Sequence, residues 1–262
     1  MLPNGWTELV ALLAAFLISA LTTPAGISGA VLLLPFQVSV LGTPGPSVTP
    51  TNLLYNVVST PDALYRYWRQ GQAGGRLALV LVAGTLPGVI AGSVIRVELL
   101  PGARVFDLVI FGVLLPLGVW LTATGPAPAL RPALSRIPVP ALVVLASLVG
   151  CVGGIYGIGG GSILSPVLIG SGRPAADVAP AALASTFVTS VAGVVTFTIL
   201  SVHQRGPVAP AWATGVALGI GGLTGGYIGA RIQARLPEAL IRRLVGVLVM
   251  AIGARYLWSG LE

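Results

Sequence analysis

Long apolar runs follow one another along this chain, separated only by short polar stretches. The runs cover residues 6–23, 77–95, 105–122, 139–156, 182–202, 211–230 and 240–258, with shorter stretches at 25–41 and 51–61. A helix needs about 20 mainly apolar residues to cross a bilayer. The pattern therefore predicts an all-α polytopic membrane protein with about eight membrane-embedded helices. Residues 1–26 lack a basic n-region, so we expect the first run to be a retained membrane segment rather than a cleaved signal.

Composition excludes a soluble domain. Of the 262 residues, 55% are hydrophobic and only 8% are charged, whereas soluble proteins carry about 25% charged residues. The 14 basic residues are all arginines, and they are scattered at the ends of apolar runs rather than massed on one face. We interpret them as topology anchors and expect no nucleic-acid partner.

The chain contains an internal repeat. The stretch "GISGAVLLLP" (Gly26–Pro35) matches "GIGGGSILSP" (Gly157–Pro166) at five of ten positions, 131 residues apart. "TNLLYNVVS" (51–59) aligns more loosely with "STFVTSVAG" (185–193), and "PGVIAGSVI" (87–95) with "TGGYIGARI" (224–232). Three matches in the same order predict two homologous repeats of four segments each, residues 1–123 and 139–262, with a connector at 124–138 rich in proline and alanine.

The orientation of the repeats follows from the number of spans in each. Eight strictly alternating spans place seven arginines on each side, which predicts no orientation. If the segments at 25–61 and 159–202 dip in and return, each half has three full spans and the repeats are inverted. The arginines then divide nine (66, 69, 76, 131, 136, 231, 235, 242 and 243) against five (96, 104, 173, 205 and 255). This asymmetry favours inverted repeats with re-entrant or broken helices, and it places the nine arginines on the cytoplasmic side. The length of the 182–202 run counts against this model, because it is long enough to span the membrane outright.

Glycine-rich stretches break both repeats at matching positions. Irregular backbone at membrane depth is tolerated only where it is buried in protein or lines a cavity, and a helix that begins at a break offers unpaired N–H groups to an anion. Paired broken helices are the sequence feature that points to a transporter's binding site. We therefore predict that backbone amides and side chains of these breaks and of the helices after them bind a small oxygen-rich anion. The predicted residues are Gly26, Ser28, Gly29, Thr51, Asn52, Asn56, Gly159, Gly160, Gly161, Ser162, Ser185 and Thr186. The alternative is that the glycines only allow close helix packing, the role we assign to the Gly88/Gly92 and Gly225/Gly229 pairs.

Few other residues offer chemistry. Asp62 and Arg66 are four residues apart and are expected to pair on a helix, as a structural ion pair or as a coupling group. The single cysteine, Cys151, and the single histidine, His203, exclude a disulfide framework and leave no cluster for a metal ion or cofactor. A membrane enzyme would need converging His, Asp, Glu or Cys residues, so we expect none.

These motifs resemble the sulfite exporter TauE/SafE family, also called the toluene sulfonate uptake permease family. The resemblance rests on "GIGGGSILSP" followed by "ALASTFVTS", on the copy in the first half, and on "GGYIGARI" before "LVGVLVMAIGARYLW". It implies an inner-membrane permease of eight segments in two repeats, which carries sulfite or a related sulfur-containing anion, usually as an exporter. The first half departs from the family pattern, with fewer glycines in its motif and with the polar residues Asn52, Tyr55 and Asn56.

Several alternatives stay open from the sequence. A carrier or channel of the same architecture for a carboxylate or another oxyanion has the same features. No nucleotide-binding motif is present, so an ion gradient, with protons or sodium ions as the candidate coupling ions, or the gradient of the substrate would drive transport. The expected partners are the small anion and membrane lipids, and a homodimer is compatible with the glycine-paired helices.

Overall fold

The computed structural model describes residues 6–23, 28–43, 45–69, 71, 75–100, 138–170, 173, 175–204 and 206–233, with isolated helical positions between 111 and 119 and at 247, 250 and 254. Every regular element in that part of the chain is a helix. The prediction of an all-α protein is therefore confirmed. Gly26, residues 124–137 of the connector, and most of the predicted segments 105–122 and 240–258 lie outside the described residues.

The helices that follow the two glycine-rich motifs have 10 residues each. In chain order the described helices are α1 (Trp6–Thr22), α2 (Ala30–Ser39), α3 (Gly45–Ser59), α4 (Pro61–Arg69), α5 (Gly75–Glu98), α6 (Val139–Tyr156), α7 (Gly161–Gly170), α8 (Ala175–His203) and α9 (Trp212–Gln233). The predicted segment at 51–61 thus begins earlier, at Gly45, and is followed by a separate helix, α4, that the apolar runs did not predict.

Three of these helices are long and apolar enough to cross a membrane: Gly75–Glu98, Val139–Tyr156 and Asp177–His203. Trp6–Thr22 and Ala30–Ser39 are apolar but shorter. With its 29 residues, α8 extends for about 44 Å at 1.5 Å per residue. The chain is therefore a membrane protein with several apolar helices. α8 begins at Ala175, before the apolar run at 182–202, and has Asp177 in its first turn.

The second glycine motif interrupts the helical path, as predicted. α6 ends at Tyr156, and Gly157 (φ +81°) and Gly159 (φ +71°) both adopt left-handed backbone conformations. Such conformations strain any residue with a Cβ, so glycine is required at both positions. After this break α7 turns back, because its Leu164 and Leu168 pack in the same cluster as Leu142 from the beginning of α6.

Two helix pairs pack through glycines against the backbone of their neighbours. On α5, Cβ atoms at Gly88 and Gly92 would overlap carbonyl oxygens of α6 at Ser147 and Cys151. On α9, Gly221, Gly225 and Gly229 lie in the same way against Leu12, Phe16 and Ala20 of α1. The glycine pairs assigned to packing are thus confirmed in that role. In both pairs the contacts advance together along the two sequences, so the two helices run in the same direction.

The remaining contacts divide the helices into two groups by direction. Leu54 and Val58 of α3 lie against Gly215 and Gly219 of α9, so α3 runs parallel to α9 and α1. The Thr85 hydroxyl of α5 bonds that of Ser185 on α8 at 2.8 Å.

A second contact of α5 with α8 lies further along both helices. A Cβ at Gly193 of α8 would lie 3.3 Å from Val89 of α5, so α5 and α8 are parallel. The start of α3 instead meets the residues after α8, because Ser47 donates to the carbonyl of Ala209 at 2.7 Å. Hence α1, α3 and α9 run opposite to α5, α6 and α8.

The glycine contacts on α9 give a stability prediction. Gly225→Ala is expected to lower the free energy of unfolding by about 1–3 kcal/mol, because the new methyl group overlaps the Phe16 carbonyl and overpacking costs about that much. Gly226→Ala is the matched control, since its nearest neighbour would be the Thr23 hydroxyl at 3.4 Å. Thermal unfolding in detergent would show a lower midpoint for the first variant alone. Equal midpoints would contradict the close α1–α9 packing.

Candidate functional site

A cavity of about 740 Å³ lies between the two halves of the chain. Its walls are the beginnings of α2 and α7, the end of α3 with α4, the first half of α8 and the second half of α9. The cavity therefore collects residues from both glycine motifs and from the helices that follow them. A cavity of this size, open on one side and lined by both polar and apolar groups, can hold a small solute with its hydration water.

Hydroxyl and amide groups dominate the polar part of the lining. They belong to Thr23, Ser28, Asn56, Ser59, Thr60, Ser162, Ser165 and Thr186. Both short helices begin here, α2 after Gly29 and α7 at Gly161. Helix N-termini present unpaired N–H groups and the positive end of the helix dipole. The cavity thus offers hydrogen-bond donors without a dense cluster of fixed charges.

The two helix beginnings are not equally available. In α2, the Ser28 side chain accepts from the N–H of Ala30 at 3.3 Å, so this terminus is already partly capped. In α7, the Ser162 hydroxyl turns to the carbonyl of Ile158 at 2.9 Å instead of capping the amides. The first N–H groups of α7 have no acceptor within their own helix. We conclude that α7 offers the stronger anion-binding terminus.

The side chain of Tyr55 occupies the space between α1 and the start of α2, beside Ser19 and Gly29. Its hydroxyl lies 2.9 Å from that of Ser19, and a Cβ at Gly29 would lie only 2.7 Å from the same oxygen. On its other side the ring lies directly against Gly222 of α9. The large side chain therefore needs a glycine on each side, and it brings a phenol group to the cavity wall.

One ion pair lines the cavity at α4. The Arg66 guanidinium pairs with the Asp62 carboxylate one turn earlier, and both side chains are about 40% exposed. Arg66 also stacks over the ring of Tyr227, with 4.8 Å from its Cζ to the ring centroid. Arg231 lies over the same ring, with 4.5 Å from its Cζ to the centroid. Two guanidinium groups therefore concentrate positive charge around one aromatic ring at the cavity.

The structure brings together part of the predicted site. Among the predicted residues, Ser28, Gly29, Asn56, Gly161, Ser162, Thr186, Asp62 and Arg66 line the cavity. Thr51 and Asn52 lie deeper in α3, where both are fully buried. Thr51 accepts the N–H of Ala211 at 2.9 Å, and Asn52 donates to the Ala30 carbonyl at 2.8 Å. These two side chains hold α3 against its neighbours.

Three further predicted residues lie behind the α6–α7 break. Gly159 and Gly160 pack against Thr186 and Thr85, and the Gly160 N–H donates to the Thr189 hydroxyl at 3.4 Å. Ser185 is fully buried and bonds the Thr85 hydroxyl. These three residues pack the α6–α7 break against α5 and α8, and they do not line the cavity. Gly26 lies outside the described residues.

Other residues of the cavity were not predicted from the sequence. Tyr55, Ser59 and Thr60 belong to or follow the same polar stretch of α3, so the stretch itself was the available signal. Tyr227 lies inside a glycine motif that was assigned to packing, on a different face of α9 from Gly225. The rotation of α9 about its own axis decides that Gly225 faces α1 and that Tyr227 faces the cavity.

Among the described residues, no three His, Cys, Asp or Glu side chains come together where they could hold a metal ion. The polar groups of the cavity lining are hydroxyls, one side-chain amide and one ion pair, and they lie among aromatic rings, aliphatic side chains and glycines. Such a set binds and orients a solute by hydrogen bonds and charge.

A family model described as Sulfite exporter TauE/SafE matches residues 11–256. The match covers almost the whole chain and includes both glycine motifs and every helix that lines the cavity. The sequence matches no curated protein and no solved structure.

Proposed function

Since the chain belongs to the sulfite exporter TauE/SafE family, a family of membrane transporters, we propose that it carries a small sulfur-containing oxyanion such as sulfite. The observation that supports this substrate class most strongly is the cavity in which α2 and α7 both begin. The transport would be secondary, driven by the gradient of the substrate or of an ion, across the cell (inner) membrane through several spans.

The chemistry of the lining suits an anion that must be both bound and released. Backbone N–H groups at the start of α7 and the hydroxyls of Ser59 and Thr186 are neutral donors for oxyanion oxygens. Arg66 adds one positive charge, part of which Asp62 compensates. A fully buried, unpaired arginine would hold the anion far more tightly, because charged hydrogen bonds strengthen as water is excluded.

We further propose that the two halves are inverted repeats. The aligned motifs make α1 the counterpart of α6, α3 that of α8, and α5 that of α9. In each of these three pairs the two helices run in opposite directions, as the contacts described above require. The packing is also exchanged between halves, since α5 packs on α6 as α9 packs on α1. Antiparallel counterparts with exchanged packing support an inverted arrangement rather than a parallel one.

The arginine distribution supports an orientation. Arg66 at the cavity and Arg231 beside it both belong to the larger set of nine arginines. Because basic residues near the ends of membrane segments favour the cytoplasm, the cavity would open to the cytoplasm. An exporter in this state would be ready to load its substrate.

Thermal unfolding of the detergent-purified protein against a set of anions tests the substrate. A ligand present at 100 times its dissociation constant stabilises the folded state by about 2.7 kcal/mol. We expect a raised midpoint with sulfite, thiosulfate or sulfoacetate, and none with chloride. A shift with acetate alone would replace the sulfur anion with a carboxylate. No shift with any anion, for a protein that stays folded, would contradict the proposal.

The contact of Arg66 and Arg231 with the ring of Tyr227 gives a separate prediction with a smaller expected effect. Tyr227→Leu is expected to weaken sulfite binding about 2- to 5-fold, because an exposed cation–π contact contributes about 0.5–1 kcal/mol to holding a guanidinium in place. Tyr227→Phe keeps the aromatic ring and should bind like the parent. Titration of both variants with sulfite measures the difference. Equal affinity for all three proteins would exclude the ring as a support for Arg66.

A further inference from the structure

Apolar side chains close the face of the molecule opposite the cavity. We call them the apolar seal: Leu53 and Leu54 of α3, Val97 of α5, Val194 and Phe197 of α8, and Val208 after α8. All six are buried, and Leu53 and Phe197 are fully so. The seal lies between the halves, as the cavity does, but towards the end of α8 rather than its beginning.

The repeat alignment makes part of the seal the counterpart of the cavity wall. Continued without a gap beyond Ser59 and Gly193, the alignment of Thr51 with Ser185 places Thr60 and Ala63 of the cavity opposite Val194 and Phe197 of the seal. One half thus has a hydroxyl and a methyl group at these two positions, and the other has an isopropyl group and a phenyl ring.

The α5 and α9 helices show the same exchange. Gly226 lines the cavity, and the alignment of Gly88 with Gly225 pairs it with Val89. A Cβ at Gly193 would lie 2.6 Å from Leu53 and 3.3 Å from Val89, so Val89 packs beside the seal. At each of the three compared positions, the residue in or beside the seal has the larger apolar side chain.

A buried arginine ties the helices together beside the seal. Arg96, near the end of α5, is only 1% exposed. It donates to the carbonyl of Gly45 at 2.7 Å and also to the carbonyl of Leu100. Gly45 is the first residue of α3, so this guanidinium connects the end of α5 to the start of α3 across the rim of the seal.

We propose that the apolar seal is the second gate of the translocation path, opposite the cavity, and that Arg96 latches it. This proposal rests on the proposed function and on the inverted repeats. An anion cannot pass a dry apolar constriction without its opening and wetting. Opening would separate α3 from α5 and α8, would break the Arg96–Gly45 bond and would expose Val194 and Phe197 to water. At the same time the cavity would close, because the two inverted repeats would exchange their conformations.

Thiol labelling tests the gate, and the single native cysteine makes it practicable. In a full-length Cys151→Ser background, Ala63→Cys reports on the cavity, because Ala63 lines it and is partly exposed, and Val194→Cys reports on the buried seal. A charged thiol reagent is expected to modify the second cysteine about 10-fold more slowly or worse, since a minor open state makes up a tenth of the molecules or less. Equal rates at the two positions would overturn the proposal.

Adding Arg96→Gln distinguishes a latch from a merely structural residue. Loss of the latch is expected to accelerate labelling of Val194→Cys about 10-fold or more, the factor that a charged hydrogen bond contributes, and to slow labelling of Ala63→Cys. General loosening would accelerate both reactions, and an unchanged pair of rates would mean no latch. Either result would refute the role of Arg96. Phe197→Ala is a second variant that should accelerate Val194→Cys even if Arg96→Gln does not fold.

The labelling rates need no anion, so they separate this proposal from the proposed function. If the anion panel shows no binding while the two cysteines still respond reciprocally, the gate stands and the substrate assignment fails. If the panel shows sulfite binding but Val194→Cys never becomes reactive in any variant, the substrate stands and the gate fails.

Discussion

Gly161→Ala is expected to lower sulfite flux by about 100-fold, the loss that a displacement of about 1 Å causes in a preorganised site. Gly161 is the first residue of α7 and is buried at the cavity. An alanine Cβ there would overlap the carbonyl oxygen of Ala182 and lie 2.6 Å from the Thr186 hydroxyl. Backbone of α8 cannot yield as a flexible side chain can, so α7 has to move and take its N–H groups with it.

Gly226→Ala is the matched control for this variant. Both glycines line the same cavity, and both substitutions add one methyl group, but at Gly226 the nearest atom is the Thr23 hydroxyl at 3.4 Å. We expect its flux to stay within about 2-fold of the parent, as for a tolerated substitution that changes the free energy by about 0.5 kcal/mol or less. Efflux of sulfite from proteoliposomes with equal protein content measures both. Equal flux through the two variants would mean that the start of α7 does not position the anion.

The sequence predicted the break at Gly157–Gly161 correctly because the signal is local. Three glycines within four residues, at 157, 159 and 160, disfavour a continuous helix, and the backbone indeed turns left-handed at Gly157 and Gly159. The same local argument predicted that Gly88 and Gly225 pack helices closely. Features that depend only on neighbouring residues and on steric limits of the backbone could be derived without the structure.

The division of α3 into cavity-lining and packing residues could not be derived in this way. Asn52 and Asn56 are one turn apart and share a helix face. Asn56 reaches the cavity, whereas the Ala30 carbonyl and Gln37 bind Asn52. Which of the two meets the cavity depends on where α2 crosses α3, and this is a tertiary contact. The same reason explains why Tyr227 was missed, since the rotation of α9 against α1 decides which side of the glycine motif lines the cavity.

Arg66→Gln is expected to weaken sulfite binding about 10- to 100-fold, because a hydrogen bond to a charged group contributes about 1.5–3 kcal/mol. Arg66 is the positively charged side chain in the cavity lining, and Asp62 is its competing partner. Both side chains are partly exposed, so the pair itself adds little to the stability of the fold. A loss of affinity would therefore reflect the missing charge rather than unfolding, and a thermal midpoint close to that of the parent would verify this.

Asp62→Asn is the matched variant, and its expected effect has the opposite sign. The amide competes less strongly for the guanidinium, so sulfite binding should become tighter by a few fold, about what a partly exposed ion pair contributes. Both changes should shrink as salt is added, because ions screen exposed charges within about 10 Å at 0.1 M. Weaker binding in both variants would indicate that the intact pair, rather than the positive charge of Arg66, shapes the site. Unchanged sulfite binding in Asp62→Asn, combined with loss of gradient-driven accumulation and intact counterflow, would instead assign Asp62 to coupling.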